Sequence, residues 1–151
     1  PYADLEPYYD AVEAFIGVSG PQNYPWGPPR KNGFPLPALP VNGAGQLMKK
    51  GCDALGIQTA PAPNAALSAP YYQEGIGWRG ACTNRGFCQA GCSNGGKSSV
   101  DVTWIPLAVS NGAEIRPQCF VTKIETQNGR VTGVIYSEKG VEKRQRCKNL
   151  F

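Results

Sequence analysis

IRPQCFVTKIETQNGRVTGVIYSEKGVEKRQRCKNLF (residues 115–151) decides the fold of the C-terminal part of this chain. Two β-branched runs flank Asn128-Gly129, and a third run follows Lys139-Gly140. Asn-Gly between such runs is the strongest short-range hairpin signal, because both residues of a two-residue turn need positive φ. The spacing therefore predicts a three-stranded antiparallel meander across 113–151.

Upstream the punctuation changes. The chain of 151 residues holds 19 Gly and 14 Pro, most of them in the first hundred positions, which predicts long irregular segments at 21–40 and 59–80. Helices fit between them. In YADLEPYYDAVEAFIGVSG, Asp4 is placed to cap, Pro7 falls in the first turn, and Leu5, Tyr8, Val12 and Phe15 recur on one face until Gly17 stops the helix. A second helix over about 43–55 turns Leu47, Met48, Cys52 and Leu55 inward and stops at Gly56. A short third one runs over about 103–111, with Pro106 in its first turn and Gly112 at its end. The fold class is α+β, with short helices and long coil followed by an antiparallel meander. The chain reads as a single fragment in three regions: helical and proline-rich coil (1–80), a cysteine loop and helix (81–112), and the meander (113–151).

With 41% apolar and 17% charged residues, the chain can bury a core. Its net charge of +4 gathers at Lys143, Arg144, Arg146 and Lys148, which read as a solvated strand because no aromatics interleave with them; nucleic acid is not an expected partner. No segment has the roughly 20 apolar residues that cross a bilayer. Asp53, Glu74 and Asp101 are too scattered for a paired-carboxylate site, and Trp26, Trp78 and Trp104 are expected to pack the coil against the helices.

Chemistry concentrates in RGACTNRGFCQAGCSNGGKSS (79–99), where Cys82, Cys88 and Cys92 stand at C-x5-C-x3-C among Gly86, Gly91 and Gly95. Glycines let a backbone wrap a metal centre and point N–H groups at its sulfurs, so these three cysteines are candidate metal ligands. Reduced thiols, or disulfides with Cys52, Cys119 or Cys147, are the alternatives. Zinc fits poorly, since the chain has no histidine to complete a ligand set. That absence also removes any serine triad at Ser98 or Ser99.

The order PYADLEPYYDAVEAFIGVSG, RGACTNRGFCQAGCSNGGKSS, PLAVSNGAEIR, FVTKIETQNGRVTGVIYSEKG resembles the glucose-methanol-choline oxidoreductases, in particular the gluconate and fructose dehydrogenase branch. The resemblance implies an internal fragment of a larger FAD-binding fold. The whole enzyme would oxidise a CH–OH group of a sugar, sugar acid or alcohol by hydride transfer to flavin. The family's catalytic histidine and its G-x-G-x-x-G pyrophosphate turn have no counterpart here, so the fragment alone is expected not to turn over. The resemblance implies adenine contact at the backbone of Val121, and a 3Fe-4S cluster on Cys82, Cys88 and Cys92. Ala81 and Ser93 depart from the cluster-bearing pattern. Without a cluster, the loop would shape the flavin pocket with Lys97, Ser98 and Ser99 near the cofactor. A cytochrome c subunit, a small subunit and the bacterial periplasm are the implied setting. A stand-alone cysteine-rich binding module with structural disulfides is the alternative reading.

Overall fold

In the computed structural model, which describes residues 1–28 and 30–151, the chain divides into two compact units, Pro1–Gly112 and Ala113–Phe151. Helix α1, Tyr2–Ile16, begins earlier than its sequence signals suggest. Asp4 lies inside the first turn instead of capping, and Pro7 sits inside the helix beyond the first turn. The expected inward face is largely uncovered: Leu5, Tyr8 and Val12 are exposed, and only Phe15 is engaged, with its ring centroid 4.1 Å from that of Trp104. Periodicity identifies an apolar stripe but not what covers it. Helix α2, Gly43–Ala54, repeats the lesson. Asn42 caps it by accepting from the Gly45 N–H at 2.8 Å, and Gly56 follows it at φ 68°. Leu47, Met48 and Leu55, expected inside, are all at least 70% exposed.

The buried apolar residues of the first unit come mostly from segments expected to be coil. Val18, Phe34, Leu36 and Leu67 are buried. Ser19–Gly20 (β1) pairs in parallel with Leu36–Pro37 (β2), and Tyr71–Gln73 (β3) pairs antiparallel with Gly77–Arg79 (β4). Neither pairing is visible as periodicity, because two or three residues carry none. Trp26 and Trp78 stay mostly exposed rather than packing the coil, and Trp104, on α3, meets Phe15 of α1 rather than coil.

The C-terminus of α1 explains how these pieces assemble. The last four carbonyls of a helix have no helical donor. Here the Glu13 carbonyl accepts from Gly17, at φ 74°, and from Val18, while Tyr71 Oη donates to Ala14 at 2.7 Å. Gln73 Nε2 donates to Phe15, and Ser98 Oγ to Ile16 at 2.6 Å. The donors to Phe15 and Ile16 converge on Arg79, which is buried at 8% exposure. Its guanidinium donates to Gln73 Oε1 (2.8 Å), Ser98 Oγ (3.2 Å), the Gly95 carbonyl (2.6 Å) and the Lys97 carbonyl (3.0 Å). Burial pushes its pKa down, while nearby Cys92 and Asp101 push it up.

A 3-10 turn, Val100–Val102, leads into α3, Trp104–Ser110, and Gly112 follows at φ 89°. The second unit is the expected meander: β5, Cys119–Gln127; β6, Arg130–Glu138; β7, Val141–Arg146, in that spatial order. Asn128, Gly129, Lys139 and Gly140 all have positive φ, as the hairpin turns require. β6 is central, and a Cβ on Gly133 would lie 2.6 Å from the Gln145 carbonyl of β7.

Two stability outcomes follow. Replacing Arg79 by Leu strands four acceptors and should lower the unfolding free energy by about 2–4 kcal/mol in a denaturant titration, with Arg79→Lys recovering only part, because one ammonium cannot span the fork. A loss under about 0.5 kcal/mol would refute the role given to Arg79. In the meander, Gly133→Ala should cost about 1–3 kcal/mol by forcing β6 and β7 apart. Gly140→Ala, with open space but positive φ, should cost about 1 kcal/mol, and the reverse ranking would contradict the strand packing.

Candidate functional site

The cysteine loop is held at its two ends by one residue. Cys82 N–H donates to the Leu67 carbonyl at 2.7 Å, and Leu67 N–H donates to the Gly96 carbonyl at 2.8 Å; Leu67 itself is fully buried. This brings Gly96 so near Cys82 that a Cβ would lie 2.8 Å from the Cys82 Cα, which explains glycine there. Asn94 closes the loop internally, donating to the Ala81 carbonyl (3.2 Å) and Thr83 Oγ1 (2.9 Å) and accepting from Gly96 N–H.

Within this frame lies a cavity of about 480 Å³, and Cys82, Cys88 and Cys92 all line it, with Arg85 and Phe87. The loop thus gathers the three cysteines that the sequence singles out around one space. They do not meet at a point: among the described residues, no three Cys, Asp or Glu side chains stand close enough to hold one metal ion. That rules out three thiolates on one ion, whereas an iron–sulfur cluster takes each thiolate on a different iron. All six cysteines are free, which removes the structural disulfides of the alternative module from this structure.

Cys92 has the most distinctive surroundings of the three. Its sulfur accepts from the Lys97 N–H at 3.4 Å and lies 3.0 Å from Asn94 Oδ1, to which the thiol donates. The backbone N–H groups of Lys97, then of Asn94, Gly96 and Gly95, hold its pKa below the ordinary thiol value against the opposing effect of desolvation.

The four candidate cofactor residues fall in four different environments. Lys97 Nζ donates to the Cys88 carbonyl at 2.9 Å, bracing the loop. The Ser98 hydroxyl is consumed by Ile16 and Arg79 and is buried. Ser99 precedes the 3-10 turn, and its side chain holds the Asp101 carboxyl below the ordinary value. Val121 belongs to the second unit, half-exposed on β5 opposite Tyr136. β5 is an edge strand, and its register shifts between Val121 and Lys123. An edge strand offers backbone groups that no neighbouring strand uses, and a bulge re-aims them.

Arg79, Gln73 and Asn94 are the organising residues that motif reading misses. Their partners are backbone carbonyls and neutral side chains, which carry no spacing signature. For Cys92, the N–H groups around the sulfur predict that alkylation by iodoacetamide, followed residue by residue with mass spectrometry, reaches its half-maximal rate at a lower pH than free cysteine; an equal or higher midpoint would contradict this environment.

Comparison with known proteins supplies the context. The chain is 32% identical over 135 residues to 2-methyl-1,2-propanediol dehydrogenase of Mycolicibacterium austroafricanum, covering 89% of this chain and 24% of that protein. It is 28% identical to the gluconate 2-dehydrogenase flavoprotein of Pantoea cypripedii, covering 89% and 25%. It is 30% identical to the fructose dehydrogenase large subunit of Gluconobacter japonicus, covering 89% and 24%. The chain therefore spans about a quarter of the length of these relatives. The family profile described as GMC oxidoreductase matches residues 1–149, and with that match the chain belongs to the GMC oxidoreductase family.

Proposed function

We propose that this chain is part of an FAD-dependent oxidoreductase that oxidises a CH–OH group of an alcohol, sugar or sugar acid. The observation that carries the reading is the family match over nearly the whole chain, joined to relatives named for dehydrogenation of a diol, a sugar acid and a sugar. Bound flavin would supply hydride acceptance. The residues present have the more limited tasks of holding and shaping. The β5 edge near Val121 would offer main-chain contacts to the adenine ring. The segment Lys97, Ser98, Ser99 would form a wall near the cofactor, with Lys97 and Ser98 acting through the loop and the Arg79 network rather than as free side chains.

No histidine is present in this chain to take the hydroxyl proton, so the 151 residues alone are not expected to complete the reaction. The name "large subunit" in one relative supports a multi-subunit setting. The three free cysteines around one cavity are read as part of the cofactor-side wall, since their loop runs on into Lys97, Ser98 and Ser99.

The test is dye reduction. The protein expressed from its whole source reading frame should purify with bound flavin and reduce an artificial acceptor when given alcohols or sugars, whereas the 151-residue chain should not. A whole protein without flavin, inert towards every CH–OH substrate offered, would overturn the proposal; so would flavin-dependent turnover by the isolated chain, as far as its incompleteness is concerned.

A further inference from the structure

Five Asn-Gly dipeptides punctuate the chain, at Asn32, Asn42, Asn94, Asn111 and Asn128. Such a pair is chemically labile, because the glycine that follows has no Cβ to shield its nitrogen from the asparagine side-chain amide. Attack of that nitrogen on the amide carbon needs two freedoms. The amide must swing onto the nitrogen, and the nitrogen must give up its proton. Holding either group away from attack geometry by even about 1 Å slows a reaction roughly 100-fold.

The fold restrains four of the five. Asn94 donates to the Ala81 carbonyl and Thr83 Oγ1 and accepts from Gly96 N–H, while the Gly95 N–H is committed to the Cys92 carbonyl at 3.3 Å. Asn111 Nδ2 donates to the Leu107 carbonyl at 2.8 Å, and the Gly112 N–H to the Val109 carbonyl at 3.0 Å. Asn42 is fixed as the cap of α2, and Asn32 Nδ2 donates to Asp10 Oδ2 at 3.3 Å.

Asn128 has neither restraint. It stands at the exposed tip of the β5–β6 hairpin; its side chain has no hydrogen-bonding partner and the Gly129 N–H no acceptor among the described residues. A Cβ on Gly129 would meet nothing within 4 Å, so the tip is open. At φ 50° the Asn128 carbonyl must turn over before the ring can close. The ladder allows it: the last pair is Gln127 with Arg130, and the register shift between Glu125 and Thr126 loosens the pairing just behind the tip.

From this we infer that Asn128 is a site of spontaneous deamidation, selected from the five pairs by the fold and not by the dipeptide. Base takes the Gly129 N–H proton, the nitrogen bonds to Asn128 Cγ to close a cyclic imide, and the Cγ–Nδ2 bond breaks to release ammonia. Water then opens the imide to aspartate or isoaspartate, so the net change consumes water and frees ammonia with no oxidation or reduction. Isoaspartate routes the main chain through an added carbon, which a two-residue turn matched to the twist of its strands does not absorb. The β5–β6 ladder, with the Val121 edge, therefore loosens as the protein ages.

The experiment follows the protein expressed from its whole source reading frame through incubation at mildly alkaline pH. Mass spectrometry of its peptides gives conversion at each pair, and methyl transfer from S-adenosylmethionine by an isoaspartyl methyltransferase reports isoaspartate. Asn128 should convert at least about tenfold faster than the other four, whereas the same chain unfolded in urea should bring all five to similar rates. Asn128→Gly keeps a residue suited to positive φ and removes the reactive amide. After ageing, the β5 and β6 amides of the unsubstituted protein should exchange hydrogen faster than when fresh, and those of Asn128→Gly should not. A rate at Asn128 no higher than at another pair, or the same ranking in urea, would overturn the selection by the fold; equal exchange in aged and fresh protein would overturn the loosening of the ladder.

Discussion

A buried guanidinium with only neutral partners is the constraint on which the Pro1–Gly112 unit depends. No carboxylate is paired with Arg79 among the described residues; its hydrogen-bonding partners are an amide, a hydroxyl and two backbone carbonyls. Charge-assisted bonds of this kind contribute about 1.5–3 kcal/mol each, and an orphaned buried acceptor costs a similar amount. Arg79 therefore fixes where its acceptors stand. Two of them, Gln73 and Ser98, donate onward to the final carbonyls of α1, so the helix end, the β3–β4 hairpin and the Gly95–Ser98 turn share one network. Much of this unit is coil, and directional polar contacts do there what a broad sheet or helix interface does in other domains.

The cysteine loop inherits its geometry from that network. Leu67 clasps both of its ends through the backbone, Gly96 allows the close approach, and Arg79 pins the turn whose N–H groups surround the Cys92 sulfur. The result is a thin wall between two cavities, with Cys82 and Cys88 reaching both. Sulfur suits such a wall: it is polarisable, weakly hydrogen-bonding and tolerant of an apolar neighbour.

The meander follows a different logic. Its order is set by local turns and by pairing between neighbours in sequence, and its edge β7 is protected by charge: Arg144 pairs with Glu125 at 2.6 Å, and Lys143 pairs with Glu138. Arg116 donates to Gln145 at 2.9 Å, and Glu114, through its hydrogen bond first, together with the Tyr136 hydroxyl raises the Arg116 pKa above the ordinary value. Val121, Ile124 and Val141 remain about half exposed. Strand alternation places them on the sheet without specifying a covering layer.

The sequence by itself determined what depends on near neighbours. Asn128-Gly129 and Lys139-Gly140 dictate hairpins because positive φ is a property of two residues, Gly17 and Gly112 end helices for the same reason, and the C-x5-C-x3-C spacing confines three sulfurs to one short loop. Only the tertiary structure decided what depends on residues far apart in the chain. Leu47, Met48 and Tyr8 looked like core and are exposed, while Phe34, Leu36 and Leu67 looked like coil and are buried. The same holds for the site: that three cysteines share a cavity without meeting, and that Ser98 serves Arg79 and α1, follows from contacts as distant as the 82 positions between Ser98 and Ile16. Turn chemistry is written in dipeptides; burial and hydrogen-bond partnership are properties of the packed chain.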